Sequence, residues 1–242
     1  MYQNFGVSTV DVEVNVLCAL GLMACFLIKN PPHLAKANTS FFKISNYIDF
    51  RVLKFATTAL IIPIGYGCIS AYLAAMCEER QIADAAGLFF LVGAFVTILS
   101  RPVFGRLFDK FGENLVMYPA IIFASLSLLI LAMANSAFLV VISAIFHGLG
   151  LSNFQSSGQA LALKLVDRSR YAQATSTFFM LWDSSLGITP SIFGLIAHYW
   201  GFAVMFEVLA LIVFLGAVLY YFVHGKDHPL KKRLFKAQAS KL

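Results

Sequence analysis

The chain has 242 residues, of which 60% are hydrophobic and only 12% are charged, and its formal net charge is +6. Soluble domains are about a quarter charged, and a water-soluble fold of this length could not remove so much apolar surface from water. The composition therefore excludes a soluble globular domain and indicates an integral membrane protein.

Seven long apolar runs follow one another along the chain. A helix needs roughly 20 apolar residues to cross about 30 Å of hydrocarbon, and each run is close to that length or longer. Because lipid offers no partner to an unpaired backbone group, every run is predicted to be a helix. The runs are Val12–Ile28, Phe55–Met76, Ala83–Ser100, Leu115–Ala134, Ala137–Leu163, Tyr171–Ala197 and Ala203–Val223. The sequence thus predicts an all-α integral membrane protein with seven transmembrane helices.

The basic residues predict the direction in which these helices cross the membrane. If the N-terminus lies outside, all of the 18 lysines and arginines except Arg80 fall on the inner side. Such an excess is typical of cytoplasmic segments. The chain is therefore predicted to lie in the cell (inner) membrane with its C-terminus in the cytoplasm. Topology explains the positive charge, so the expected partner is the lipid bilayer and no nucleic acid is implied.

The runs separate into one helix and a group of six. Residues 1–29 hold the single helix, residues 30–54 form a cytoplasmic linker that opens with two prolines, residues 55–223 hold six helices, and residues 224–242 form a basic cytoplasmic tail. The four cysteines lie in or beside the runs without CxxC spacing. Neither a metal site, a cofactor nor a disulfide framework is therefore predicted.

The connection between the third and fourth runs carries glycines, an acid and bases at fixed places. It reads RPVFGRLFDKFG over residues 101–112. Gly105 permits close approach of another backbone, and Gly112 supplies a turn before the next helix. Asp109 can cap a helix N-terminus or pair with a base. We therefore expect an inner turn between two helices, with Asp109 in a structural role.

This connection resembles the G-x-L-x-D-[R/K]-x-G signature of the major facilitator superfamily, in the copy between its eighth and ninth helices. The residues of the signature and its frame are Arg101, Gly105, Arg106, Asp109, Lys110 and Gly112. Residues 148–160 and 168–194 are similar to helices ten and eleven of proton-coupled efflux members. The resemblance covers almost the whole chain. It departs from the family pattern just after Gly112, where Glu113 and Asn114 replace the usual pair of basic residues.

The resemblance implies that the seven runs correspond to helices six to twelve of a transporter whose helices one to five are absent. Such transporters bind substrate between two six-helix halves. The implied function is secondary active transport, as proton-coupled efflux of a small lipophilic or amphipathic solute. The chain would be an incomplete transporter that needs the missing N-terminal half or a partner chain. No enzymatic activity is expected.

Asp183 is the first candidate for a coupling residue. It lies 12 residues into its run, roughly 18 Å from the inner end, and so near the membrane midplane. A carboxylate at that depth costs at least about 2.5–3.5 kcal/mol unless it is paired, hydrated or protonated. Asp183 therefore either couples proton movement to substrate or is a hydrogen-bonded acid that fixes helix packing.

His147 is the second candidate, since it lies at a similar depth on the preceding run. A histidine titrates near neutral pH and could exchange protons with Asp183 if the two helices are adjacent. A neutral histidine bonded to a backbone carbonyl would explain the residue equally.

Polar and aromatic side chains at helical spacing predict a cavity with weakly polar, aromatic walls, suited to a lipophilic substrate. Ordinary helix packing by small residues explains the same pattern. The candidates for the cavity are Tyr66, Ser70, Thr97, Ser152, Gln155, Ser176 and Trp182.

Three other functions are compatible with part of the sequence. A seven-helix receptor or retinal protein fits the number of runs, but the last run has no interior lysine that could hold retinal. An intramembrane hydrolase could use His147 and Asp183, but the sequence contains neither G-x-S-x-G nor HExxH. A truncated transporter fragment without activity is the strongest alternative.

Overall fold

The computed structural model describes residues 3–27 and 47–227. It divides into two compact units, Met1–Ser40 and Phe41–Leu242. The first unit holds helix α1 (Gln3–Leu27). The second holds α2 (Phe50–Ala56), α3 (Thr58–Ile61), α4 (Ile64–Glu79), α5 (Asp84–Phe111), α6 (Asn114–Ala132), α7 (Ala137–Lys164) and α8 (Tyr171–Val223). Most of the predicted linker and tail lies outside the described residues.

Helix α8 consists of two antiparallel arms, residues 171–200 and 202–223. Gly201 between them has φ +84° and ψ 166°, which is a backbone conformation that favours glycine. The ring of Phe55 lies 6.1 Å from that of Phe178 and 6.4 Å from that of Tyr220. In a straight helix these two partners would be about 63 Å apart. The chain therefore reverses at Gly201, and α8 holds the two separate helices that the sequence predicts.

Five apolar helical stretches in the described residues are long enough to cross a membrane. They are Thr58–Glu79, Ala85–Phe111, Asn114–Ala132, Ala137–Lys164 and Arg168–Val223. Since the last one contains both arms of α8, the second unit holds six potential crossings. Helix α1 is 25 residues long and carries the shorter apolar segment Val14–Ala24. The predicted all-α membrane fold is confirmed.

The second apolar run forms three consecutive helices. Asp49 caps α2 by accepting a hydrogen bond from the backbone N–H of Arg51, so helical structure begins at Phe50, within the segment assigned to the linker. Pro63 lies between α3 and α4. Because proline has no N–H and its ring obstructs the preceding turn, it interrupts the helix at this position.

The predicted extent of the inner turn over residues 101–112 is wrong. Helix α5 remains helical as far as Phe111, and only Gly112 and Glu113 connect it to α6. Arginine and lysine are good helix formers outside the hydrocarbon, so a helix does not have to end where the apolar run ends. Gly112 does end the helix as expected, since its φ of +93° favours glycine.

Arg80 joins two connections at one end of the six-helix unit. Its guanidinium group donates hydrogen bonds to the backbone carbonyl oxygens of Leu131, Ala132 and Ala134. The last carbonyls of a helix have no partner inside the helix, and a cation at this position is favoured by the helix dipole. This contact explains why one arginine lies apart from the other basic residues. We call residues 80–83 and 133–136 the Arg80 end.

Small residues bring α7 close to both of its neighbours. A Cβ atom on Gly148 would lie 2.7 Å from the carbonyl oxygen of Gly93 in α5, and one on Gly150 would overlap the backbone of Ala124 in α6. Buried hydroxyl groups add hydrogen bonds between the helices, as where the Ser143 Oγ donates to the carbonyl oxygen of Ser127 at 2.7 Å. Such contacts replace the hydrophobic effect, which does not drive helices together in lipid.

We expect Gly150→Ala to destabilise the protein, because the added methyl group would push α6 and α7 apart. Overpacking of this kind typically costs about 1–3 kcal/mol. Gly187→Ala is the matched control, since no atom lies within 4 Å of the position of its Cβ. The control should be neutral or slightly stabilising. Thermal unfolding in detergent measures both, and equal midpoints for the two variants would contradict the packing described.

A second polar cluster lies at the opposite end, around the buried Asp49, whose side chain is only 2% exposed. The Asp49 carboxylate forms ion pairs with Arg51 at 3.3 Å and with Arg170 at 3.0 Å. Its backbone N–H donates to the Thr177 Oγ1 at 2.9 Å. Burial by itself raises the pKa of the Asp49 carboxyl, but the hydrogen bonds from Arg51 and the charge of Arg170 outweigh it, so this pKa lies below its usual range. We call residues 49–51, 112–113, 165–170 and 224–227 the Asp49 end.

We expect Asp49→Asn to lower the unfolding midpoint at pH 7. Asparagine still caps a helix but cannot form the two ion pairs. An acid whose pKa falls on folding stabilises the native state above its unfolded pKa of about 4, and that stability is lost as the pH falls through the folded pKa. The gap between wild type and variant should therefore close as the pH is lowered below about 4.

Asp84→Asn is a suitable control, because Asp84 is exposed. A gap between wild type and Asp49→Asn that persisted unchanged at pH 3 would show that the charge of Asp49 is not what stabilises this end.

Candidate functional site

A cavity of about 580 Å³ opens between α4, α5, α7 and the first arm of α8. Its volume lies within the range of small-molecule sites. The lining residues are Tyr66, Phe89, Phe90, Gly93, Ala94, Thr97, Ile98, Arg101, His147, Leu151, Ser152, Gln155, Trp182, Asp183 and Leu186. Predicted candidates from four different helices therefore meet in one space.

One face of α5 forms the longest wall of the cavity. Phe90, Gly93, Thr97 and Arg101 recur at intervals of three or four residues, which places them on the same side of a helix. The wall changes from aromatic at Phe90 to cationic at Arg101. The cavity therefore reaches from the first quarter of α5 toward the Asp49 end.

The wall from α7 holds an imidazole between two aromatic rings. The ring of His147 lies 5.4 Å from that of Tyr66 and 5.2 Å from that of Phe89. Within the part of the chain that the structure describes, His147 makes no hydrogen bond. Its position is fixed by ring contacts, and not by the carbonyl bond that the sequence left open as an alternative.

The wall from α8 presents a carboxylate beside an indole. Trp182 is buried, and its ring stacks on that of Phe154 at 6.3 Å. The next residue, Asp183, is exposed and forms neither a hydrogen bond nor an ion pair with any residue that the structure describes. Packing among the described residues therefore does not satisfy this carboxylate.

Side-chain hydrogen bonds join α5 to α7 along the cavity floor. The Thr97 Oγ1 donates to the Ser152 Oγ at 3.0 Å, and the Asn153 Nδ2 donates to the Ser100 Oγ at 2.9 Å. Sequence reasoning missed Asn153 because the polar stripe of α7 directed attention to its neighbours. An amide within an apolar run was the available signal, since such a group needs a partner in hydrocarbon.

Two predicted cavity residues lie elsewhere. Ser70 and Ser176 are exposed and are not among the lining residues. The Ser70 Oγ instead donates to the carbonyl oxygen of Gly67 at 2.9 Å, one turn earlier in its own helix.

The signature residues after Arg101 also lie outside the cavity. Gly105, Arg106, Asp109 and Lys110 belong to the last turns of α5 and are exposed. Asp109 caps no helix and pairs with no base among the described residues, so neither contact considered for it occurs.

The two residues that depart from the family signature hold the end of α8. The Glu113 carboxylate lies 3.2 Å from the His224 Nε2. The Asn114 side chain donates to the carbonyl oxygen of Gly225 at 2.9 Å and accepts from the Tyr220 hydroxyl at 2.7 Å. These positions therefore contact the chain's own C-terminal arm.

Comparison with known proteins agrees with this architecture. The family model described as Major Facilitator Superfamily matches residues 55–242, and it begins where the predicted six-helix half begins. A multi-drug resistance efflux pump PmrA homolog of Lactococcus lactis is 28% identical over 149 residues, which is 61% of this chain and 36% of that protein. The multidrug resistance protein MdtG of Salmonella dublin is 24% identical over 149 residues, or 61% of this chain and 37% of that protein.

An uncharacterized MFS-type transporter of Pseudomonas aeruginosa is 28% identical over 165 residues, which is 68% of this chain and 40% of that protein. The chain thus spans less than half the length of the curated relatives it matches. Because the family consists of transporters, the interpretation of the chain as a non-enzyme is confirmed. The match over most of its length, on an all-α membrane fold, shows that the chain belongs to the Major Facilitator Superfamily.

Proposed function

We propose that this chain is the C-terminal half of a secondary transporter that exchanges protons for a small lipophilic or amphipathic solute, exported through the cavity. The observation that carries the proposal is Asp183, a carboxylate at membrane depth that has no partner among the described residues and lines a cavity large enough for a solute. A charge at that depth is costly and marks ion or substrate pathways. Two relatives are named as a multi-drug resistance efflux pump homolog and a multidrug resistance protein, which supports efflux.

In this mechanism the proton and the solute occupy the cavity alternately. The cavity wall supplies the binding surface through Tyr66, Phe90 and Trp182, whose rings suit an apolar body. Protonation of Asp183 removes a charge and so weakens the binding of a cationic group. Binding and release of the proton on opposite sides of the membrane would then drive the solute in one direction.

His147 is proposed as the second proton site, next to the aromatic wall. Its ring stands in the same cavity as Asp183, so a water chain could join the two groups. Histidine is the side chain whose charge changes most readily near neutral pH. A proton could therefore pass between the two residues without leaving the cavity.

The Asp49 end is proposed to face the cytoplasm. Arg101, Arg106, Lys110, Lys164, Arg168 and Arg170 lie toward that end, whereas Arg80 lies at the other. The positive-inside rule assigns the basic end to the cytoplasm. The helices that complete the pathway are proposed to come from an N-terminal half, on this chain's longer form or on a partner chain.

We expect Asp183→Asn to abolish transport driven by a pH gradient while leaving solute binding measurable. Asparagine preserves size and hydrogen bonding but cannot carry the proton. The test uses proteoliposomes that hold this chain together with an N-terminal half supplying helices one to five, and it follows ethidium accumulation after an acid-inside gradient is imposed. Asp109→Asn is the matched control, because it neutralises an exposed acid outside the cavity.

Accumulation by Asp183→Asn at the rate of wild type would refute the coupling role. Vesicles that contain this chain alone should accumulate no ethidium. Accumulation in those vesicles would overturn the need for a second half, and a complete pair of halves that moved nothing would favour the inactive fragment.

A further inference from the structure

Arg101 belongs to the cavity as well as to the signature of α5. Its side chain is exposed and lines the same space as Asp183. Within the described ranges it forms no ion pair, either with Asp183 or with another acid. Arg101 lies 17 residues after Asp84, or about 25 Å along α5, which places it near the edge of a hydrocarbon layer about 30 Å thick. A charged side chain at this depth needs water or an anion beside it. One cavity therefore holds two opposite charges that do not neutralise each other.

The contacts between helices place parts of α4, α5, α7 and α8 at the same depth along the helix axes. The ring of His147 stacks on Tyr66 at 5.4 Å, and a Cβ atom on Gly93 would lie 3.8 Å from the His147 ring. A Cβ atom on Gly67 would lie 3.1 Å from the carbonyl oxygen of Leu186. Gly93 and Leu186 therefore lie at nearly the same depth.

The axial distance between the two charged residues follows from this common level. Asp183 precedes Leu186 by three residues, or about 4.5 Å along the helix. Arg101 follows Gly93 by eight residues, or about 12 Å. Because α5 and the first arm of α8 run in opposite directions, both steps lead toward the Asp49 end. The two backbone positions are thus separated by roughly 7–8 Å along the helix axes.

We propose that Arg101 binds the anionic end of a dipolar amphiphile whose cationic end meets Asp183. The inference rests on the proposed function, because it names the class of solute that the same cavity takes. A guanidinium group binds a carboxylate through two parallel hydrogen bonds, a geometry that the ammonium group of a lysine does not offer. Between the two charges, Trp182 provides a flat apolar surface for the body of the molecule.

This arrangement selects against molecules with a single charge. A monocation satisfies Asp183 and leaves Arg101 without an anion, while a monoanion leaves Asp183 without a cation. Each unpaired group in a narrow cavity loses hydration without compensation. A zwitterion whose charges are about one and a half helical turns apart satisfies both groups at once.

The test measures binding to the assembly of this chain with an N-terminal half, in lipid nanodiscs at pH 7, by isothermal titration calorimetry. Three naphthalene probes of matched size differ only in charge: 6-(aminomethyl)-2-naphthoate is the zwitterion, 2-naphthylmethylammonium the cation and 2-naphthoate the anion. We expect the zwitterion to bind at least about tenfold more tightly than either single-charge probe, since hydrogen bonds to charged groups contribute about that much.

Arg101→Gln should reduce zwitterion affinity by about tenfold, to the level of the cation, and leave cation affinity unchanged. Arg101→Lys retains the charge and should retain part of the preference. Arg106→Gln, a neighbouring exposed arginine outside the cavity, should change neither affinity. Size-exclusion profiles identical to wild type establish that each variant is folded.

Equal affinity for zwitterion and cation in the wild type would overturn the inference, and would mean that water or a lipid phosphate neutralises Arg101. A preference for the zwitterion that survived in Arg101→Gln would overturn it too. The proposed function is tested by a different result. It is refuted if the affinity for 2-naphthylmethylammonium is the same in Asp183→Asn as in wild type.

Discussion

The hydrocarbon around these helices offers no hydrogen-bond partner, and this constraint accounts for most of the polar contacts in the six-helix unit. The hydroxyl groups of Ser127 and Ser143 each donate a hydrogen bond to the backbone carbonyl oxygen of the other residue, across two helices. Arg80 supplies donors to the free carbonyls at the end of α6. These polar groups between the helices are thus satisfied by the protein itself. The cavity differs, because Asp183 and Arg101 both face it without a partner among the described residues.

Hydrogen bonds from Arg80 hold one end of the six-helix unit, and ion pairs hold the Asp49 end. These contacts bear on how the unit moves against another half of a transporter. At the Asp49 end, the buried carboxylate joins the start of α2 to the start of α8, while Glu113 and Asn114 hold the end of α8. These contacts lie within one chain, so the six helices can move as one body. Rigid movement of one half against another is how this class of transporter exposes its site to each side. The hydroxyl and amide bonds between α5 and α7 keep two walls of the cavity together during such a movement.

Sequence reasoning predicted the crossings because a long apolar run has one stable solution in lipid, and it predicted a turn at Gly112 because glycine adopts backbone conformations that other residues avoid. It placed Tyr66, Thr97, His147 and Asp183 on suitable helix faces, which the structure brings to one cavity. It did not predict that α5 remains helical from Arg101 to Phe111, since hydropathy reports where the hydrocarbon ends and not where the helix ends. It also missed Asp49 and Asn153, because their partners are distant in sequence. Helical spacing alone could not tell that Ser70 and Ser176 face away from the cavity.

The central claim is that the cavity holds water at the depth of Asp183. In a variant whose native cysteines are replaced by serine, a single cysteine at position 183 is compared with one at Leu195, an exposed residue of the same helix outside the cavity. The hydrophilic reagent 2-aminoethyl methanethiosulfonate reacts with the thiolate, which forms only where water reaches the sulfur. The account predicts rapid labelling at position 183 and little at position 195, for the chain in nanodiscs. Equally slow labelling at both positions would contradict it, because a dry Asp183 could be neither a proton site nor a binding site for a cation.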